Sequence, residues 1–179
     1  MLAQPRTHSF LARGSRALFA ASMGLLSLLS TGCSVISGEH EVETRFPVKP
    51  GGQTSFNAWS EISISEDPSS VTSAELMYVR LEAEDSSVVD LGFIRSLYGD
   101  VKVGEQLTRV AEKTSFPRGE RIVPLDVVHE GDIRDFFYED PEADGYTIHL
   151  EWNGAFDPSY PLPADGLWIK VKAAVRIDQ

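Results

Sequence analysis

Near its C-terminus the chain alternates without interruption: Ile169, Val171, Ala173, Val175 and Ile177 fall on one side, and Trp168, Lys170, Lys172 and Arg176 on the other. A two-residue period is that of a β-strand and excludes an amphipathic helix, whose apolar positions recur every three to four residues. One side of such a strand must be covered by protein and the other can face water. The rest of the chain therefore has to supply neighbouring strands and an opposing apolar surface.

Comparable runs are present upstream. Phe56, Ala58, Ile62 and Ile64 share one face of a segment that ends in the turn-forming Asp67-Pro68-Ser69-Ser70. From Glu75 to Ala83, Met77, Val79, Leu81 and Ala83 alternate with Tyr78, Arg80 and Glu82. Further strands are expected over 94–103, around 107–111, over 121–128 and over 146–152. Only two stretches have helical character, a turn over 89–93 and a short helix over 130–138 with Asp132 as its cap and Ile133, Phe136 and Phe137 packed beneath a sheet. Short strands, frequent turns and no regular strand–helix alternation predict an all-β fold, an antiparallel β-sandwich of about seven to eight strands with one or two short helices.

Residues 1–32 have a different character. Arg6, Arg13 and Arg16 stand among no acids and precede an apolar run from Ala17 that ends in small residues, the layout of an export signal. The run is short of the roughly 20 apolar residues a spanning helix needs. It leads to Cys33, the chain's one cysteine, through Leu29-Ser30-Thr31-Gly32. This segment resembles a bacterial lipoprotein signal, whose lipobox precedes a lipid-modified cysteine, with Ser30 where that motif usually has Leu. The resemblance implies cleavage before Cys33, lipidation of Cys33 and attachment to a membrane through that lipid. Ser34 after the cysteine implies the outer rather than the inner membrane of a bacterial envelope. The expected organisation is then a signal peptide at 1–32, a tether at 33–42 and one domain at 43–179. Asp90-Leu91-Gly92-Phe93-Ile94-Arg95-Ser96, Val110-Ala111, Val123-Pro124-Leu125-Asp126-Val127 and Asp132-Ile133-Arg134-Asp135-Phe136, followed by the long final strand, are similar in order to small bacterial envelope lipoproteins predicted to be β-sandwiches. That similarity implies a fold and no activity.

Charge excludes one class of partner. Three of the 16 basic residues and none of the 27 acidic ones stand before position 33, so the net charge of −11 falls to −14 beyond it (13 bases against 27 acids). A domain so acidic repels nucleic acid and anionic lipid headgroups.

Two clusters have the residue types of a binding site. Asp140, Glu142, Asp144 and Glu151 occupy the first, third, fifth and twelfth positions of a segment with Gly145 at the sixth, which resembles the spacing of an EF-hand calcium loop. Oxygen ligands at alternate positions of a tight loop suit calcium. The plainer reading is a solvated acidic turn, because the alternation over 146–152 makes a strand that would carry Glu151 away. The second cluster is the outward stripe Trp168, Lys170, Lys172 and Arg176, an aromatic beside cations that suits a sugar ring or an anion. Pairing of its bases with Glu82 and Glu84 on a neighbouring strand is the plainer reading. Catalytic signatures are missing: there is no nucleophile elbow, zinc-protease motif or phosphate-binding glycine loop, and His40, His129 and His149 lack the spacing of metal ligands. The expected role is a non-enzymatic, lipid-anchored envelope protein without a cofactor, displaying its domain to an envelope protein partner. Alternatives are a glycan or small-ligand binding module, with calcium as an aid, and a carrier of apolar ligands. Exposed aromatics favour the first alternative and an enclosed apolar cavity the second.

Overall fold

The computed structural model describes residues 38–49, 54–64, 67–84, 90–140, 145–160, 162 and 165–178. The signal-like segment and Cys33 lie outside them. Nine strands follow in chain order: β1 (Gly38–Val48), β2 (Ser55–Ile64), β3 (Ser73–Ala83), β4 (Ile94–Val103), β5 (Gln106–Lys113), β6 (Ile122–Val127), β7 (Tyr138–Asp140), β8 (Gly145–Phe156) and β9 (Leu167–Asp178). All pairings are antiparallel. The sheet runs β1-β9-β3-β6-β5-β4-β8-β2, with β7 added to β8 beyond the end of β4.

The expected all-β antiparallel fold is present, formed from one continuous sheet that curls upon itself. The corner is β6, which pairs with β3 through Ile122–Leu125 and with β5 through Asp126 and Val127. Pro124 is tolerated there with its side chain exposed. Curling brings the inner faces of β1-β9-β3 and β4-β8-β2 together over a core that includes Phe46, Leu81, Leu97, Val123, Trp152, Ile169 and Val171.

At the centre of that core, the Trp152 ring stacks on Phe46 of β1, with centroids 5.2 Å apart and planes 17° apart. Trp152 Nε1 donates to Ser60 Oγ at 2.8 Å in a buried hydrogen bond. A serine at an inward position of β2 thus satisfies an indole N–H that burial would otherwise leave unpaired. The rings need room that two glycines supply. Gly99 pairs with Trp152 and Gly154 pairs with Phe56, and a Cβ would stand 2.6 Å from a Trp152 ring carbon at Gly99 and 2.2 Å from a Phe56 ring carbon at Gly154.

The structure departs from the sequence reading in three places. First, β1 begins at Gly38 and pairs with β9 from Gly38↔Ile177 onward, inside the stretch expected to be a tether over 33–42. Its acids at 39, 41 and 43 hid its apolar positions 42, 46 and 48. Second, the register of β3 on β9 slips between Leu76 and Tyr78, so Leu76 and not Met77 packs against the core cluster. Third, the helix expected over 130–138 is a single 3-10 turn, Arg134–Phe136, because Asp132 bridges to Glu75 of β3 and Tyr138 already belongs to β7. Asp132 Oδ1 nevertheless accepts from the Arg134 amide at 3.0 Å, as a cap would, and also from the Ala74 amide at 3.2 Å. Ile133 is buried as expected.

One buried acid ties three loops together. Asp90 accepts from the Gly92 amide at 2.7 Å, the Gly119 amide at 2.9 Å and the Tyr160 hydroxyl at 2.6 Å. Burial pushes its carboxyl up, but the Tyr160 hydroxyl, the two amides and the nearby Arg118 charge outweigh it and hold the carboxyl below its ordinary range. A depressed carboxyl stabilises the fold above its unfolded value of about 3.9 and loses that contribution as pH falls through the folded value.

Two expectations follow from these contacts. Gly99→Ala and Gly154→Ala are each expected to lower the unfolding free energy by about 1–3 kcal/mol through overpacking, as measured by chemical denaturation. Asp90→Asn is expected to cost about 2–3 kcal/mol at neutral pH and to flatten the loss of thermal stability of the wild type in the acid range below about pH 4.

Candidate functional site

The outer faces of the two halves differ. On β1-β9-β3, the stripe Trp168, Lys170, Lys172 and Arg176 does form one row, but its lysines are occupied. Lys170 Nζ lies 3.0 Å from Glu43 Oε1, and Lys172 Nζ lies 3.4 Å from Glu41 Oε1 and 3.5 Å from Glu43 Oε2. Tyr78 donates its hydroxyl to Glu41 Oε2 at 2.5 Å, and Arg80 stands 3.5 Å from the same oxygen. The hydrogen bond from Lys170 holds the Glu43 carboxyl below its ordinary range, and Glu43 in turn holds the Lys170 ammonium above its own. Trp168 is exposed with the Arg45 guanidinium 4.8 Å over its ring, and Arg45 reaches Glu84 at 3.4 Å. The pairing expected for this stripe is therefore found, but mostly with β1 rather than with Glu82 and Glu84 of the β3 side. Glu41 falls inside the expected tether at 33–42 and so is not among the partners expected from sequence. Arg176 is exposed, in register with Glu39 and Glu75.

Of the expected calcium ligands, Asp140 and Glu151 stand at well-separated positions of the sheet. Asp140 is the last residue of β7 and pairs with Gly145, whereas Glu142 and Asp144 lie outside the described residues. Glu151 is six residues further along β8, about 20 Å from the hairpin at the usual strand rise. It sits on the outer face, accepting from Asn57 Nδ2 at 2.6 Å and Asn153 Nδ2 at 3.2 Å. An extended strand cannot fold its twelfth-position acid back into the loop. Among the described residues no group of three or more His, Cys, Asp or Glu side chains is placed to hold a metal ion.

The outer face of β2-β8-β4 has a different character. Its cross-strand rows follow directly from the registers: Glu61, His149 and Lys102; then Trp59, Glu151 and Asp100; then Asn57, Asn153 and Tyr98; then Ser55, Ala155 and Ser96. Trp59 is 45% exposed, although its strand turns Ala58 and Ser60 into the core. Asn57 Nδ2 also donates to Asn153 Oδ1 at 2.7 Å. These contacts set a fixed array of amide and carboxylate groups between Trp59 and Tyr98. The small side chains of the last row leave a shallow, open depression of about 390 Å³, lined by Ser55, Asn57, Ser96, Tyr98 and Asn153 together with Phe56, Gly154 and Ala155. Two strand spacings and two residues along the strand separate the Cα atoms of Trp59 and Tyr98 by about 12 Å.

Cations and acids frame this platform. Lys102 Nζ lies 5.8 Å over the Trp59 ring, and the Arg109 guanidinium lies 4.2 Å over Tyr98. Arg109 Nε also donates to the buried Asp100 at 3.0 Å. His149 Nε2 stands 3.3 Å from Glu61 Oε1, and its ring lies 5.1 Å from that of Tyr138. The sequence reading singled out none of Trp59, Tyr98, Asn57 or Asn153. A signal was present nonetheless, since placing Phe56, Ala58, Ile62 and Ile64 inward puts Trp59 outward on a polar face.

No helix among the described residues is long and apolar enough to cross a membrane. The chain has no match among protein-family models, curated proteins or solved structures.

Added calcium is expected to leave the thermal unfolding midpoint unchanged in the wild type and in Glu151→Gln alike. A calcium-dependent rise that Glu151→Gln removes would contradict the separation of Glu151 from the 140–145 hairpin.

Proposed function

We propose that this chain is a non-enzymatic, lipid-anchored protein of the bacterial outer membrane that binds a glycan on the outer face of β2-β8-β4. The observation that carries the binding role is the exposed Trp59 beside the hydrogen-bonded array of Asn57, Asn153 and Glu151. An aromatic face on a flat sheet offers stacking area to the C–H face of a sugar, and fixed amides and carboxylates match its hydroxyls. Such groups, already ordered by one another, lose little freedom on binding. The opposite outer face has an equally exposed tryptophan, but the lysines beside it are held in ion pairs with Glu41 and Glu43. The depression is open and not enclosed, which suits a ligand lying along the sheet better than an apolar cargo held out of water.

The anchor in this proposal is Cys33, five residues before the start of β1 at Gly38. That chain length holds the domain within about 18 Å of the lipid-bearing residue, so the ligand would be a component of the envelope itself. A second reading, display to an envelope protein partner, is favoured by Val103 and Leu107, which are exposed on the β4–β5 hairpin next to Lys102.

Affinity electrophoresis of the soluble domain through gels containing envelope polysaccharides separates the readings. The wild type and Trp168→Ala are expected to be retarded and Trp59→Ala to run freely, with thermal unfolding unchanged by either substitution. Retardation lost in Trp168→Ala and kept in Trp59→Ala would place binding on the other face. Retardation of neither the wild type nor the variants would contradict glycan binding.

A further inference from the structure

The charges on the proposed binding face point to the chemical class of the glycan. Its four carboxylates are already engaged. Asp100 and Glu112 are held by Arg109 at 3.0 and 3.7 Å, Glu61 faces His149 at 3.3 Å, and Glu151 accepts from two asparagine amides. Two cations near this face are not engaged by any acid among the described residues. Lys102 Nζ lies 5.8 Å from the centre of the Trp59 ring. Arg95 is exposed at the point where the register of β4 on β8 slips, between Ile94 and Ser96. A bulge sets two residues against one on the same side of a strand. With Ile94 buried, Arg95 therefore joins Ser96 on the outer side, beside the depression that Ser96 lines. Both belong to a chain in which acids outnumber bases 27 to 16. They mark the ends of one platform, roughly 20 Å apart along β4.

Building on the glycan-binding reading above, we infer that the ligand is an acidic oligosaccharide, drawn by these two local bases against the repulsion of the domain's overall negative charge. A sugar ring packs on the exposed side of Trp59, and the anionic groups are read by Lys102 at one end and Arg95 at the other. The span exceeds a single sugar, so a chain of several residues is required. The neutral amides and hydroxyls between the two ends serve the ring hydroxyls. The bases supply the selection, since an exposed guanidinium or ammonium without a partner gains a charge-assisted hydrogen bond from carboxylate or phosphate and nothing comparable from a hydroxyl. The shared chemistry is an anion carried on sugar, either the carboxylate of a uronic acid or a phosphate substituent.

The test is isothermal titration of the soluble domain with three matched series: uronic-acid oligosaccharides, their carboxyl-reduced neutral counterparts, and the neutral oligosaccharides carrying phosphate. At low salt an anionic series is expected to bind about tenfold tighter than the neutral one, with the gap closing at high salt as exposed charges are screened. Gain in the uronic series alone assigns a carboxylate, gain in the phosphorylated series alone assigns a phosphate, and gain in both assigns the anion of either kind. Arg95→Gln and Lys102→Gln should each remove most of the ratio between anionic and neutral affinity, with thermal unfolding unchanged. Trp59→Ala should weaken every series. Equal binding of neutral and anionic series, still abolished by Trp59→Ala, would overturn the acidic assignment and leave the glycan platform standing. Absence of binding in all three series would overturn both.

Discussion

The rest of the fold depends on the packing of Trp152. Its ring spans the interior between the two halves of the curled sheet, stacking on Phe46 of the first edge strand while lying over Gly99 of the adjacent strand. Its N–H finds Ser60 in the core. Phe56 extends the same stack, with its ring 6.4 Å from Phe46 and packed over Gly154. The edges β1 and β2 thus meet through side chains, without a hydrogen-bonded ladder between them. Burial of large rings matched to glycines holds the two halves together.

That interior arrangement also shapes the exterior. Because side chains alternate along each strand, an inward Trp152 forces Glu151 and Asn153 outward, and inward Ala58 and Ser60 force Trp59 outward. The antiparallel registers then align these residues with Asp100 and Tyr98. The platform is thus the reverse side of the core. Asp90 and Asp132 serve a different purpose, fastening loops and a turn to the sheet through backbone amides.

Much of the architecture was legible in the alternation of residues. The strand over 94–103 coincides with β4, and the final strand has Ile169, Val171, Ala173 and Val175 buried as its pattern requires. What escaped was the part governed by partners distant in sequence. The alternation in β1 was masked by a run of acids whose purpose is visible only once Lys170 and Lys172 lie beside them. The slip at Met77 is set by the register of β3 on β9, and the shortened helix at 130–138 by the bridge from Asp132 to β3. The candidate site was harder still, because its residues come from three strands separated by up to 96 positions in the chain. Cys33 and its signal remain a matter of sequence alone, and so does the membrane attachment proposed from them.

The central claim is that ligand recognition takes place on the face opposite Trp152. The most direct test is chemical-shift mapping of the isotopically labelled domain during titration with the acidic and neutral oligosaccharide series. The account predicts perturbations confined to the Trp59 indole, the Asn57 and Asn153 side-chain amides and the backbone around Tyr98, with the Trp168 indole unmoved. Perturbations centred on Trp168 or on the 140–145 hairpin would contradict it.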